Sequence, residues 1–261
     1  EQWNQHKWVP KAGSDKIAFE AMQPAIRFEK KDCIDLPPVV TVQRQATLTK
    51  EQVQAVKQMK NDMVMDHQSG RQITAVNAAD KINKLRQILL GSIKMSDGTY
   101  GTIPHAPRFQ LLLDTINEAS AKALVIVPFK GIIQTLDREL RKKNITTGIL
   151  NGDVTIPQRN KIITDFKTTQ DPHTLLCHPE VMAHGLNLTE ADMLIFYGPI
   201  YSNDEYQQVI ERFNRAGQTR KMTIARIGGH PLEWDIYRMV DTRKLTQDNL
   251  LRLYNDMLQA A

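Results

Sequence analysis

Residues 192–228 read DMLIFYGPIYSNDEYQQVIERFNRAGQTRKMTIARIG. An apolar run, DMLIFY (192–197), gives way to a segment with helical spacing near 204–215, and a second run, MTIARIG (222–228), follows it. Apolar runs of this length without polar alternation suit strands buried on both faces. The same rhythm extends upstream. ALVIVP (123–128) precedes a predicted helix near 131–143, TGIL (147–150) precedes one near 156–168, and TLLCH (174–178) leads into a short loop and helix. A further helix starts near 232. Strands separated by helices in this way predict a parallel sheet with helices on both faces, a doubly wound α/β fold.

Residues 1–105 carry few strand-like runs. Lys50 to about Met65 predicts a helix behind Thr49 as N-cap, with Val53, Val56, Met59 and Met63 at helical spacing. Ala78 to Leu90 predicts a second, with Ile82, Leu85, Ile88 and Leu89 on one face and Gly91 as its stop. Pro37-Pro38 and SDGTYGTIPHAP (96–107) mark breaks. The last 15 residues read as a helix with Leu250, Leu251, Leu253, Tyr254 and Leu258 facing inward. The expected organisation is a helical extension (1–105), an α/β lobe (106–230) and a C-terminal helical brace (231–261).

The chain has 261 residues, 41% of them hydrophobic, enough for one domain and a sizeable appendage. Its net charge of +5 is compatible with a phosphate-backbone partner without establishing one. No run of 18 apolar residues occurs, so no transmembrane helix and no membrane partner is expected. The N-terminal EQWNQHKW lacks an apolar signal core, and Cys33 and Cys177 form neither a disulfide framework nor a zinc spacing. His178 and His184 beside Cys177 fit no common metal site, so no metal ligands are assigned. Trp3 and Trp8 are expected to pack locally. The sequence does not begin with Met, which leads us to expect a longer parent polypeptide.

QVIERFNRAGQ (208–218) places Arg212 and Arg215 three apart at the end of a predicted helix closed by Gly217. At that spacing two guanidiniums share one helical face. Arginine stays charged and offers planar, multi-donor contacts to phosphate oxygens. In phosphoryl transfer such a group stabilises charge that develops in the transition state. From the pair alone, a solvated basic face beside Glu211 is the competing reading.

The whole segment resembles motif VI of the Swi/Snf-type ATPases: Gln, Arg four residues on, Arg seven on, then Gly-Gln at nine and ten. Gln208, Arg212, Arg215, Gly217 and Gln218 match all five positions. GLNLTEADMLIFY (185–197) is similar to motif V through Gly185, Asn187 and Leu188, and ALVIVPFK (123–130) to motif IV. GILNGDVTIPQRNKIITDFK (148–167) resembles the following block through Gly152, Arg159 and Phe166. AMQPAIRFEKKDCIDLPPVVT (21–41) resembles the link between the two lobes of that family. The look is that of short phage or bacterial members. The sequence departs from the family pattern at Met182, Ala183 and His184, where Ala-Gly-Gly is usual, at Asn214 for His, and at Gly198 for Asp.

The resemblance implies a RecA-like second lobe of a DNA-dependent ATPase that translocates on double-stranded DNA. In that reading Arg215, with Arg212 as partner, is the arginine finger. Gly185, Asn187, Gln208, Gly217 and Gln218 support the ATP site, and Lys130, Asn151, Gly152 and Arg159 touch the DNA backbone. Other readings stay open: Gly185 and Asn187 as turn residues, and Lys130 as a solvated lysine at the sheet edge. The lobe could equally belong to a strand-separating DNA or RNA helicase, or only bind DNA or protein. No G-x-x-x-x-G-K-[ST] and no Asp-Glu-x-His occur in these residues. ATP and Mg2+ are therefore expected only in the intact two-lobe protein, and none on this chain alone, which should be catalytically silent. The implied partners are the duplex DNA backbone and an N-terminal RecA-like lobe. The implied location is cytoplasmic, in the host if phage-encoded.

Overall fold

The computed structural model describes residues 2–4, 7–8, 11–24, 35–62, 64–66, 72–74, 78–182 and 188–242, with side chains over 11–24, 35–59, 80–182 and 188–242. The chain divides into two units, Glu1–Asp35 and Leu36–Ala261. The first holds two short antiparallel strands, β1 (Gln2–Asn4) and β2 (Lys7–Trp8), and helix α1 (Ser14–Ala21). The Trp3 and Trp8 side chains lie outside the described residues.

The second unit is built on six strands: β3 (Val39–Gln45), β8 (Lys122–Ile126), β9 (Thr147–Leu150), β10 (Thr174–Cys177), β11 (Ala191–Phe196) and β12 (Met222–Gly228). Their order is β3-β12-β11-β8-β10-β9, and every pairing is parallel. Alternate residues of each strand serve opposite layers. Leu124, Ile126, Leu194 and Phe196 join one core cluster, while Ala123, Val125, Met193 and Ile195 join the other. Burial on both sides is why these strands read as unbroken apolar runs.

The helices α5 (Lys130–Lys142), α6 (Ile156–Thr168), α7 (Pro179–Met182), α8 (Asn203–Phe213) and α9 (Pro231–Asp241) fall where the alternation predicts them, within two residues. An unforeseen helix, α4 (Ala106–Asn117), starts with Pro107 in its first turn and buries Arg108, Leu112, Thr115 and Ile116.

Residues 36–105 hold more strand than expected. β3 lies at the sheet edge in register with β12, from Val39 beside Met222 to Gln45 beside Gly228. Two small antiparallel ribbons add β4 (Val64–Asp66) with β5 (Gln72–Thr74), and β6 (Ser92–Lys94) with β7 (Tyr100–Thr102). Helix α3 (Ala78–Leu90) matches its expected span, and Gly91 ends it at φ +94°. Helix α2 (Lys50–Asp62) stops short of Met65, and its buried face is Gln52, Ala55, Val56 and Met59. Val53, at helical spacing with Val56 and Met59, is nevertheless 53% exposed.

Gln52 accounts for that rotation. Its Nε2 donates to the carbonyls of Ile88 (3.1 Å) and Leu89 (2.9 Å) in the last turn of α3, where carbonyls run short of helical donors. Thr49 is the N-cap, accepting from the Gln52 N–H while the Gln52 side chain accepts from the Thr49 N–H. At the C-terminus α9 is described to Asp241, and the expected helix over the last 15 residues lies outside the described residues.

Candidate functional site

Because the strands are parallel, their first residues line one edge of the sheet and their last residues the opposite edge. The candidate residues divide between these two edges.

The amino edge is organised by the end of α8. Ser202 caps that helix by accepting from the Glu205 N–H at 3.2 Å, and Asp204 and Glu205 complement the helix dipole. Tyr206, Val209 and Phe213 form its buried stripe, which leaves Gln208 and Arg212 one turn apart on the flank. The helix ends at Phe213, so Arg215 stands outside it. The expectation that both arginines share one helical face is corrected here. Arg215 opens a β-turn instead, with the Gln218 N–H donating to its carbonyl at 3.1 Å and Gly217 at φ +99°. A positive φ at the third position of a turn favours glycine.

The cause is the Gln218 side chain, which is 5% exposed. Its Nε2 donates to the Ala191 carbonyl at 2.9 Å, and its Oε1 accepts from the Thr219 and Arg220 N–H groups, both at 3.0 Å. The loop is thereby fastened to the first residue of β11. Leu188, the last matched residue of the motif V segment, is fully buried, and its carbonyl accepts from the Ala191 N–H at 3.3 Å. Both motif segments therefore meet at Ala191. Gly185 and Asn187 lie outside the described residues. Arg212 is half-buried and Arg215 exposed, and neither side chain makes a hydrogen bond or ion pair with another described residue.

At the carboxyl edge Lys130 is already engaged. Lys130 begins α5, and its Nζ lies 2.5 Å from Asp153 Oδ1; that hydrogen bond raises the lysine above its ordinary range. Asn151 is buried and its Oδ1 accepts from the Asp153 N–H at 3.0 Å. Gly152 is exposed between them. The structure thus brings Lys130, Asn151 and Gly152 together, and sets Arg159 further on, within α6. That helix is capped by a Thr155–Gln158 box, and the Nε of Arg159 is buried without a partner. His178 follows β10, with Nδ1 3.6 Å from Glu180, and burial holds its imidazole below the usual value. Burial, reinforced by Glu180, raises the Glu205 carboxyl. Burial pushes the Cys177 thiol up to about 12, which leaves it protonated and inert.

Three arginines carry structure that the sequence reading missed. Arg108, 1% exposed, donates to Glu233 Oε2 and to the Tyr197 carbonyl, each at 2.6 Å. Glu233 Oε2 also accepts from the N–H groups of Gly229 and His230, so one ion pair ties the loops after β11 and β12. Arg86 donates to the Pro199 carbonyl at 2.8 Å and lies over the Tyr201 ring, 3.4 Å from its centroid. Arg226, within β12, bonds Tyr206 and Asp241. The available signal was a cation inside an otherwise apolar stripe, as in INKLRQILL and MTIARIG.

Gly198 has a local explanation as well. A Cβ there would sit 2.6 Å from Leu90 Cδ2, so the side chain of Leu90 fills the space that an Asp would need.

Residues 107–217 match the family described as helicase conserved C-terminal domain. That stretch of the chain is therefore similar to the C-terminal domain of helicases. It is 23% identical over 204 residues to an ATP-dependent helicase of Mycoplasma genitalium, covering 77% of this chain and 20% of that protein. It is 29% identical over 188 residues to protein p41 of the Acyrthosiphon pisum secondary endosymbiont phage 1, covering 69% of this chain and 38% of that protein. The chain thus spans well under half the length of these relatives.

In fold it is similar to the C-terminal part of the Fun30 ATPase domain, with a TM-score of 0.65 at 17% identity, over 86% of this chain and 97% of that one. It is also similar to the Sulfolobus solfataricus SWI2/SNF2 ATPase core in complex with dsDNA, with a TM-score of 0.60 at 19% identity, over 90% of this chain and 50% of that one. The RecA-like α/β architecture expected from the sequence is the one observed. Among the described residues, no helix of the lobe is long and apolar enough to cross a membrane.

Proposed function

We propose that this chain is the second motor lobe of a DNA-dependent ATPase that translocates on double-stranded DNA, contributing arginine fingers to a nucleotide site built mainly by another lobe. The observation that carries the reading is the amino edge, where the side chains of Arg212, in the last turn of α8, and Arg215, on a turn fastened by Gln218, have no partner among the described residues. A guanidinium left unpaired on a rigid support is pre-organised for a phosphoryl group. These residues fit the terminal phosphate of ATP and nothing more. The chain has no phosphate-cradling loop, so the rest of the nucleotide and its Mg2+ must be held by the preceding lobe.

Duplex DNA as the partner is inferred from the dsDNA held by the similar Sulfolobus core and from the net charge of +5. Contacts made through phosphates at the carboxyl edge, by Lys130, Asn151, Gly152 and Arg159, would position DNA without reading its sequence. The protein then acts where DNA is, inside the cell.

Arginine fingers contribute on the order of 10³-fold or more to turnover, and do so mostly in the transition state. In the intact protein, Arg215→Ala should cut DNA-stimulated kcat by about that factor, with the ATP KM changed only a few-fold. Arg215→Lys should recover little, since an ammonium lacks the planar fork. Arg212→Ala should resemble Arg215→Ala. Near-normal turnover in a well-folded Arg215→Ala protein would remove the finger assignment.

A further inference from the structure

We infer that Arg226, on β12, is a positioning residue that fixes α8, and with it Arg212, through the Tyr206 hydroxyl and the Asp241 carboxylate. The inference rests on the arginine-finger reading above and adds residues that the motifs do not contain. Arg226 is 7% exposed on a strand whose other residues serve the apolar layers. Its Nε donates to the Tyr206 hydroxyl at 2.9 Å, and Nη2 donates to the same oxygen. The other side of the fork grips Asp241, with Nη1 to Oδ2 at 2.7 Å and Nη2 to Oδ1 at 2.6 Å. One guanidinium therefore joins α8, β12 and the last residue of α9.

The cage around it is aromatic. The Arg226 Cζ lies 5.3 Å from the Tyr206 ring centroid and 5.4 Å from that of Tyr237. Tyr206 stacks on Phe196 of β11 with centroids 4.7 Å apart, and Tyr237 donates to the Phe196 and Ile227 carbonyls. Burial disfavours the charge on Arg226, yet the bonds from Asp241 and Tyr206 outweigh it and hold the guanidinium above its ordinary value.

A buried ion pair is a poor source of stability, because desolvation offsets the attraction, and an apolar residue of similar size often does as well. What the fork supplies is a defined geometry. Tyr206 is the point where that geometry enters α8. Arg212 lies six residues further on, roughly 9 Å along the helix axis. Its flank position means that a rotation of α8 about its buried stripe displaces the guanidinium more than the core. Displacements of about 1 Å at a reacting group can cost about 100-fold in rate.

Tyr206→Phe deletes only the hydroxyl and keeps the stacked ring. In this chain, amide hydrogen exchange over 207–213 should quicken about 5-fold or more, while β8 amides stay unchanged. In the intact protein, DNA-stimulated kcat should fall on the order of 10-fold with KM for ATP held within a few-fold. On an Arg212→Ala background, Tyr206→Phe should cost nothing further, because the residue it positions is gone. Arg226→Lys keeps the charge without the fork and should behave as Tyr206→Phe does.

Unchanged exchange in α8 overturns the inference whatever turnover does. A kcat loss that multiplies with that of Arg212→Ala overturns it too, since the clamp would then act elsewhere. Should Arg212→Ala and Arg215→Ala both leave turnover intact, the finger reading fails, and the exchange result alone decides whether Arg226 fixes α8.

Discussion

Lys130 at one edge of the sheet and the Arg212–Arg215 pair at the other are held in different ways. At the carboxyl edge Lys130 is paired with Asp153, and Arg86 and Arg108 are spent on the carbonyls of Pro199 and Tyr197 and on Glu233. At the amino edge Arg212 and Arg215 have no partner among the described residues, while the uncharged Gln218 does the fastening. The difference teaches how the lobe divides its work. Buried cations such as Arg108 and Arg86 hold loops in place, Lys130 is shielded by Asp153, and under the proposed function Arg212 and Arg215 would meet a phosphoryl group without first breaking a bond.

The comparison can be broken first at the Arg108–Glu233 pair, where the effect on the fold should be largest. Removing one member of a buried pair leaves an uncompensated charge and costs about 3–5 kcal/mol. Arg108→Ala should therefore lower the denaturation midpoint of this chain strongly, as read by urea unfolding followed by circular dichroism. A shift of less than about 1 kcal/mol would mean that the carboxyl-edge loops do not depend on that pair.

That pair also shows where the sequence stops being legible. The five strands after residue 106 are evident, because a parallel strand buried on both faces must be apolar throughout, as TLLC (174–177) is. The sixth, β3, hides because none of its residues is fully buried, unlike those of the other edge strand, β9. VVTVQRQ is a mixture of half-buried and exposed residues and follows two prolines. Val53 faces outward because the amide of Gln52, bound at the end of α3, turns its own face of α2 inward.

Within the candidate site, the five residues of QVIERFNRAGQ are legible as a pattern, yet not the end of the helix between them. That end depends on Gln218 reaching the Ala191 carbonyl, 27 residues away in sequence. Arg108 and Glu233 are 125 residues apart, and no local spacing announces such a pair.

A smaller effect sharpens the other side of the comparison. Lys130 is exposed and already paired, so binding a DNA phosphate there exchanges one anion for another. Lys130→Ala should weaken duplex binding by only a few-fold, equally for unrelated sequences, and lower the salt slope by about one or less. Fluorescence anisotropy with two duplexes at several salt concentrations reads this. A loss confined to one duplex would contradict a backbone contact.

The central claim is that this lobe can finish a nucleotide site but cannot build one. The most direct measurement is a coupled ATPase assay on this chain alone, with and without duplex DNA. The account predicts no turnover in either condition and no tight ATP binding. DNA-stimulated turnover that copurifies with the chain and vanishes in Arg215→Ala would contradict it.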